Sequence, residues 1–267
     1  MRIFGHRGYS MRYPENTRQS FQSAIKLGAD GGEIDVRRAL NKVVVLHDAT
    51  LKRTAVGWLD SAGNQDAFQK ILDQPVADLD EETLRGVNVG TAESPEPVPF
   101  LVEVLEDFCA LQQQQGRELG LLVEVKGEDL TVVKPLKEAM RQLASRYSVQ
   151  ELAGIRFIGF DRELMLALKA DLPAFDHFMI GEESDSHPEF IAQAKADGFR
   201  GVDLEVSPRV TPQLVAEAHD KGLEVITWVS REKGTDGLEW AEKMQDSGVD
   251  IMTSDLPESL HHLLIRP

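Results

Sequence analysis

The chain has one cysteine in 267 residues, which excludes a disulfide framework within it. Cys109 stands inside the apolar run VEVLEDFCALQ, where the expected role is that of a small buried hydrophobe, and such sparing use of thiols fits a reducing compartment. Long hydrophobic runs are missing as well. Met1 is followed at once by Arg2, Ile3 and Phe4 and then by polar residues, so neither a targeting segment nor a membrane span is expected, and this reading places the chain in the cytoplasm. Positive charge is scarce: 29 Lys and Arg face 45 Asp and Glu, a net charge of −16, which argues against nucleic acid or an acidic membrane as partner. Aromatic residues make up only 6%, so aliphatic side chains must build the core. A chain of this length can bury one large core, and alternating strand-like and helix-like stretches favour a single α/β unit over residues 1–267.

Against that background, residues 33–48 read EIDVRRALNKVVVLHD. In a strand, side chains two apart share a face, so Glu33, Asp35 and Arg37 point one way while Ile34 and Val36 point the other. The segment Arg38 to Lys42 is too short for a crossover helix, which makes the two extended runs an antiparallel hairpin. That hairpin brings His47 towards Asp35. The bland alternative is a strand with one solvated face.

Strand-like runs occur at residues 2–6, 31–37, 119–126, 154–160, 174–180, 198–206, 222–229 and 248–255, with VVVLH as the return arm of the hairpin. Helical patterns such as NTRQSFQSAIKLGA, RELMLALKAD, PEFIAQAKADG and TPQLVAEAHDKG lie between most of them, several closed by glycine. Eight strands alternating with helices predict a (β/α)8 TIM barrel. The stretch from about 48 to 99 is too long for an ordinary connection and is expected to be an insertion after the strand-two hairpin, on the C-terminal face of the barrel. The glutamines at 112–115 read as the solvated end of a helix.

In such a barrel the reacting groups stand at the C-terminal ends of the strands. The rule gathers His6 and Arg7, then Glu33, Asp35 and His47, then Glu124 and Lys126. Three carboxylates without a thiol form a hard oxygen set, suited to one divalent ion, magnesium or calcium, with manganese also acceptable. Such an ion would also neutralise an acidic face for an anionic substrate. The competing account is a buried ion network in which Lys126 pairs with Glu124 and Arg7 with Asp35.

The phrase GHRGYSMRYPENTRQSFQSAIKLGADGGEIDV, followed by VVVLHDATLKRT and LLVEVKG, resembles the glycerophosphodiester phosphodiesterase family. The likeness continues through PVADLDEETL, VPFLVEVLE, GFD, ITWV and TSDLP. The resemblance implies that Glu33, Asp35 and Glu124 bind a divalent metal, that His6 and His47 act as acid and base, and that Arg7 and Lys126 hold the phosphate. It also implies that Trp228 walls the glycerol or head group, with core packing as the alternative. Glu15 is expected to position the loop after the first strand, and Asn16 to cap the following helix. Departures from the family pattern fall at Ala39, Leu40 and Asn41 in the hairpin turn, at Phe100, and at Gly31 and Gly32. Asp203 and Glu205 share a strand face and are expected either to touch substrate or to serve as barrel-layer polarity or in salt bridges. His177, His187, His219, His261 and His262 are expected to be ordinary surface or loop histidines.

The expected activity is hydrolysis of a small glycerophosphodiester to glycerol 3-phosphate and an alcohol. The alternatives are the same chemistry on a lysophospholipid head group, for which the segment offers Trp58, Leu59, Phe68, Ile71 and Leu72, and a non-catalytic phosphodiester-binding barrel. A metal-dependent isomerase or aldolase would share the carboxylates but leave the HRG and HD motifs unexplained.

Overall fold

The computed structural model describes residues 1–60, 64–185 and 187–264, the last four of these as backbone only. Its strands are β1 (Arg2–Gly5), β2 (Gly31–Ala39), β3 (Lys42–Val45), β4 (Gly57–Trp58), β5 (Val87–Asn88), β6 (Gly120–Val125), β7 (Ile155–Gly159), β8 (Asp176–Gly181), β9 (Gly201–Glu205), β10 (Glu224–Trp228) and β11 (Ile251–Ser254). The helices are α1 (Arg18–Lys26), α2 (Gln65–Leu72), α3 (Glu81–Gly86), α4 (Leu101–Gln115), α5 (Val133–Ala144), α6 (Val149–Leu152), α7 (Arg162–Asp171), α8 (His187–Ala196), α9 (Pro212–Asp220), α10 (Leu238–Asp246) and α11 (Pro257–Leu264).

Strands β1, β2 and β6 to β11 pair in parallel, and β1 closes the ring by pairing with both β11 and β2. The chain is therefore a TIM barrel, as expected. β3 adds to β2 antiparallel, with Val36 opposite Val45 and Ala39 opposite Lys42, which is the anticipated hairpin. Its turn passes through Leu40 at φ 47°, a left-handed conformation that glycine adopts without cost and leucine does not.

Strand alternation sorts the core into two shells. Ile34, Val36, Leu121, Val123 and Val125 point outward into the main core beneath the helices. Phe4, Leu122, Ile158, Phe178, Ile180, Ile226 and Ile251 fill the barrel interior. Phe4 is wholly buried there, and a Cβ on Gly120 would stand 2.0 Å from its ring. The paired glycines at 31 and 32 have the same kind of reason: a Cβ on Gly31 would meet the carbonyl of Gly120, and one on Gly32 the ring of Phe21. The helices begin where short polar side chains supply caps, as Thr17 does for Ser20 N, Asp161 for Leu164 N and Thr211 for Leu214 N, each stabilising by about 1 kcal/mol.

The described residues of 48–99 form a satellite beside the C-terminal mouth. Leu51, Phe68, Val76, Leu79, Leu84, Val87 and Val98 make its core, with Phe100 joining it and the Arg85 guanidinium 4.5 Å from that ring. Phe100 thus departs from the family pattern by packing rather than by capping, and Glu103 reaches back to its amide.

Two histidines correct the sequence reading. His177 and His187 are buried, 2% and 1% exposed, not superficial. His177 lies on β8, stacked on Phe157 at 5.5 Å, with Nε2 unpartnered among the described residues, and burial pushes its pKa down to about 4. An unfolded histidine titrates near 6.5, so below that pH the unfolded chain takes up the proton first. Stability is full above about 6.5 and falls as the pH drops towards about 4, by roughly 3 kcal/mol in all. Unfolding measured at pH 7 and 4.5 is expected to show a smaller acid loss for His177→Asn than for the parent. Parallel losses would sink this account. His219, by contrast, lies exposed on α9 beside Asp250, as expected. The side chains of His261 and His262, on α11, fall outside the described residues. Cys109 is buried in the core, its thiol pushed up to about 12 by burial, as its apolar setting implies. Gln112 to Gln115 end α4; Gln112 accepts from Leu119 N, and Gln115 donates to Ile25 O.

Candidate active site

The C-terminal mouth of the barrel opens into a cavity of about 440 Å³ lined by His6, Arg7, Glu33, His47, Glu124, Lys126 and Trp228 among others. β2 supplies Glu33 and Asp35, β6 supplies Glu124, and Asp35 stands directly beside Glu124 in the parallel register. Alternation alone would have put these three acids on the barrel's inner face, and the register puts them side by side. One oxygen from each lies within 4.8 Å of the others.

The ion network weighed from the sequence is also present. Lys126 Nζ is 2.5 Å from Glu124 Oε1 and 3.0 Å from Asp35 Oδ1, while Arg7 Nε is 3.2 Å from Asp35 Oδ2. It does not close. Two cations face three carboxylates, Arg7 spends Nη1 on Glu15, and among the described residues Glu33 Oε1 is buried without a hydrogen-bond partner. Glu33 Oε2 accepts from Arg7 N, at 2.8 Å. Burial, with Asp35 and Glu124 adding to it, pushes the Glu33 carboxyl well above its usual range, and burial lifts Glu124 to about 7. Burial acts on Asp35 too, but Lys126 and Arg7 outweigh it and hold that group below the ordinary carboxylate range. A surplus of buried acid with an unpartnered oxygen is what a hard divalent cation would satisfy, so the residues present fit the metal expected from the sequence.

Each of the two histidines carries a carboxylate on Nδ1. His6 Nδ1 is 2.9 Å from Asp255 Oδ1, and His47 Nδ1 is 2.6 Å from Asp48 Oδ1. Arg231 and Ser10 complete the shell of Asp255, and Arg53 that of Asp48. Burial works against ionisation of Asp48, yet the hydrogen bonds from Arg53 and His47 hold its pKa near about 2. An ionised carboxylate only accepts, so Nδ1–H donates and Nε2 is the free ring position. Burial also lowers the His47 pKa, favouring neutral imidazole.

Some residues of this site escaped the sequence reading. Asn16 caps nothing, since Thr17 holds the start of α1. Instead Asn16 clasps Asp35 from both sides, donating from Nδ2 to Oδ2 at 2.7 Å and accepting from the backbone N at 3.0 Å. Arg7 and Asn16 both have positive φ, 55° and 59°, a backbone cost of about 1–3 kcal/mol each held by these contacts. Asp48 and Asp255 stood inside quoted motifs without a role, and Arg53 and Arg231 likewise had none. Glu15 does position the loop, binding Arg7 at 3.0 Å and Arg53 at 2.7 Å. Trp228 reaches the cavity wall, edge-on to Phe160 at 6.1 Å, with Nε1 donating to Gly181 O. Glu205 is tied up with Lys233 and the amide of Glu183, whereas Asp203 faces the cavity.

Comparison with known proteins follows the same lines. The Glycerophosphoryl diester phosphodiesterase family model matches residues 6–259. The chain belongs to that family. It is 27% identical to the glycerophosphodiester phosphodiesterase of Caldanaerobacter subterraneus subsp. tengcongensis, over 98% of this chain and 97% of that one. The fold is shared with an Oleispira antarctica phosphodiesterase solved in complex with the product sn-glycerol-3-phosphate, at TM-score 0.79 and 21% identity, covering 100% of this chain and 97% of the other. A glycerophosphodiester phosphodiesterase from Agrobacterium tumefaciens matches at TM-score 0.74 and 21% identity, over 98% and 99%. Family membership agrees with the resemblance read from HRG, PENT, ExD and HD. Among the described residues no helix is long and apolar enough to cross a membrane.

Proposed function

We propose that this family member hydrolyses glycerophosphodiesters to glycerol 3-phosphate and an alcohol, with His6 and His47 as the acid–base pair. The observation that carries this reading is the pair of carboxylate-backed imidazoles opening on the same cavity as three clustered acids and two cations. Arg7 and Lys126 bind and orient the non-bridging phosphate oxygens, Arg7 through a guanidinium that Asp35 and Glu15 fix in place. A divalent ion held by Glu33, Asp35 and Glu124 would offset negative charge on the phosphate as it develops. His47, favoured in its neutral form, takes the proton from the attacking oxygen, which is water or, on a route through a cyclic phosphate that water then opens, the neighbouring glycerol hydroxyl. His6 delivers a proton to the departing alkoxide, its ring orientation set by Asp255. Trp228 and Phe160 form the wall along which the alcohol lies.

A small polar substrate is favoured over a lysolipid because the insertion spends its apolar side chains internally. Phe68 is buried in the satellite core, where Trp58 packs on it at 5.6 Å and Ile71 and Leu72 are partly covered. Of its large apolar side chains Val56 and Leu59 remain exposed, 61% and 37%, too little surface for an acyl chain. The test is release of glycerol 3-phosphate from a panel of glycerophosphodiesters by chelator-stripped protein with magnesium, calcium or manganese restored. Metal-dependent release is expected. Folded protein that releases none with any of the three ions, yet cleaves lysolipids, would move the activity to that class.

A further inference from the structure

Asp203 is the polar group that the scheme above leaves unused. It stands on β9, the strand opposite β2 in the barrel, and is 1% exposed at the cavity floor. Its register neighbours are Ile180 on β8 and Ile226 on β10, both in the apolar interior. Among the described residues its Oδ1 has no hydrogen-bond partner. The metal-fitting cluster is Glu33, Asp35 and Glu124 and does not include it. A buried carboxyl oxygen without a partner is rare in folded proteins, and one flanked by aliphatic side chains in the sheet, in a cavity it shares with Glu124 and Lys126, is arranged to meet a ligand group.

We infer that Asp203 receives the terminal hydroxyl of the substrate's glycerol moiety and so selects glycerol diesters over diesters of simpler alcohols. The inference rests on the proposed hydrolysis. With phosphate held by Arg7 and Lys126 on the β1 and β6 side, the hydroxyl farthest from phosphorus is the one that extends across the floor. The carbon chain then lies on Ile158 and Ile180, which line the cavity there. The head group leaves by the mouth along Phe160, which is 43% exposed. A site built to hydrogen-bond a hydroxyl rejects the analogue lacking it more strongly than an apolar pocket rejects an added group, since the buried polar partner is left unsatisfied.

The experiment compares glycerophosphocholine, its analogue lacking only the terminal hydroxyl, and glycerophosphoethanol with its neutral head group, in the metal-loaded parent and in Asp203→Leu and Asp203→Asn. The parent is expected to cleave the deoxy analogue with kcat/KM about 10- to 100-fold lower. Asp203→Leu should lose a similar factor on both glycerol diesters and change little on the deoxy analogue, while Asp203→Asn, which keeps a hydrogen-bonding group, recovers part of the loss. Metal affinity by calorimetry should be the same in all three proteins. Equal cleavage of parent and deoxy substrates by the unmutated enzyme would overturn the inference, as would an equal loss on every substrate, or a loss confined to the choline ester. Should Asp203→Leu not fold, the parent and Asp203→Asn still decide. If the parent cleaves no diester, the proposed reaction fails, and calorimetric binding of glycerol 3-phosphate against its deoxy analogue tests Asp203 separately.

Discussion

His47→Ala and His6→Ala are each expected to lower kcat by about 10²- to 10⁴-fold with the metal saturated, and KM by far less. The physical reason is that each imidazole has one nitrogen committed to a carboxylate, Asp48 or Asp255, and the other free to carry a proton in the cavity. Asp48 and Asp255 act on orientation, so Asp255→Asn should lower kcat through a wrong tautomer while leaving substrate affinity nearly intact. The pH profile separates the roles further. Burial lowers His47 below the ordinary 6.5, so its base form persists at neutral pH and is lost only as the pH falls below that value. A bound cation moves it in the same direction. The acid limb of kcat/KM should therefore lie under about 6.5 and vanish in His47→Ala. Wild-type turnover in either alanine variant would end the acid–base assignment.

Glu33→Gln is expected to cost roughly 10²- to 10³-fold in kcat, and exhaustive chelation of the parent to remove activity altogether. The same substitution should stabilise the metal-free protein at and above neutral pH. The folded-state pKa of Glu33 is raised, so its contribution to stability is present at low pH and is lost as the pH climbs through that raised value. The amide removes one of the two carboxyls, Glu33 and Glu124, that burial and neighbouring carboxylates disfavour as ions. Metal binding should also release protons near pH 7, because Glu124 titrates at about 7 and Glu33 is raised well above its usual range in the ion-free protein. Thermal unfolding of chelated and metal-loaded parent and Glu33→Gln proteins reads all of this. The metal should raise the melting temperature of the parent markedly and of the variant little. Activity undiminished after chelation, or a chelated variant no more stable than the parent at pH 8, would refute it.

Much of this was open to reading along the chain because strand side chains alternate without exception across a pleat. Glu33 and Asp35, Glu124 and Lys126 had to share faces once the segments were strands, and short motifs in order carried the family. The hairpin, too, followed from a connection too short for a helix. What failed was of a different kind. Asn16 looked like a helix cap because it precedes a helical pattern, yet a left-handed φ turns its amide onto Asp35 instead. His177 and His187 looked superficial because they lay outside the motifs; one is on a strand and the other opens a helix, and both are buried. Periodicity says which face a residue occupies only once the element's partners are known.

The sequence by itself determined the barrel, the hairpin, the inward face of the three acids and the family, since each depends on patterns a few residues long or on short motifs in order along the chain. The tertiary structure alone decided what backs the histidines and what lies across the cavity. His6 and Asp255 are 249 positions apart and meet because β1 pairs with β11 when the ring closes. Asp203 reaches the cavity floor because β9 is carried to the side opposite β2. Contacts of that separation are fixed by closure and register, which are properties of the whole sheet and of no local stretch of chain.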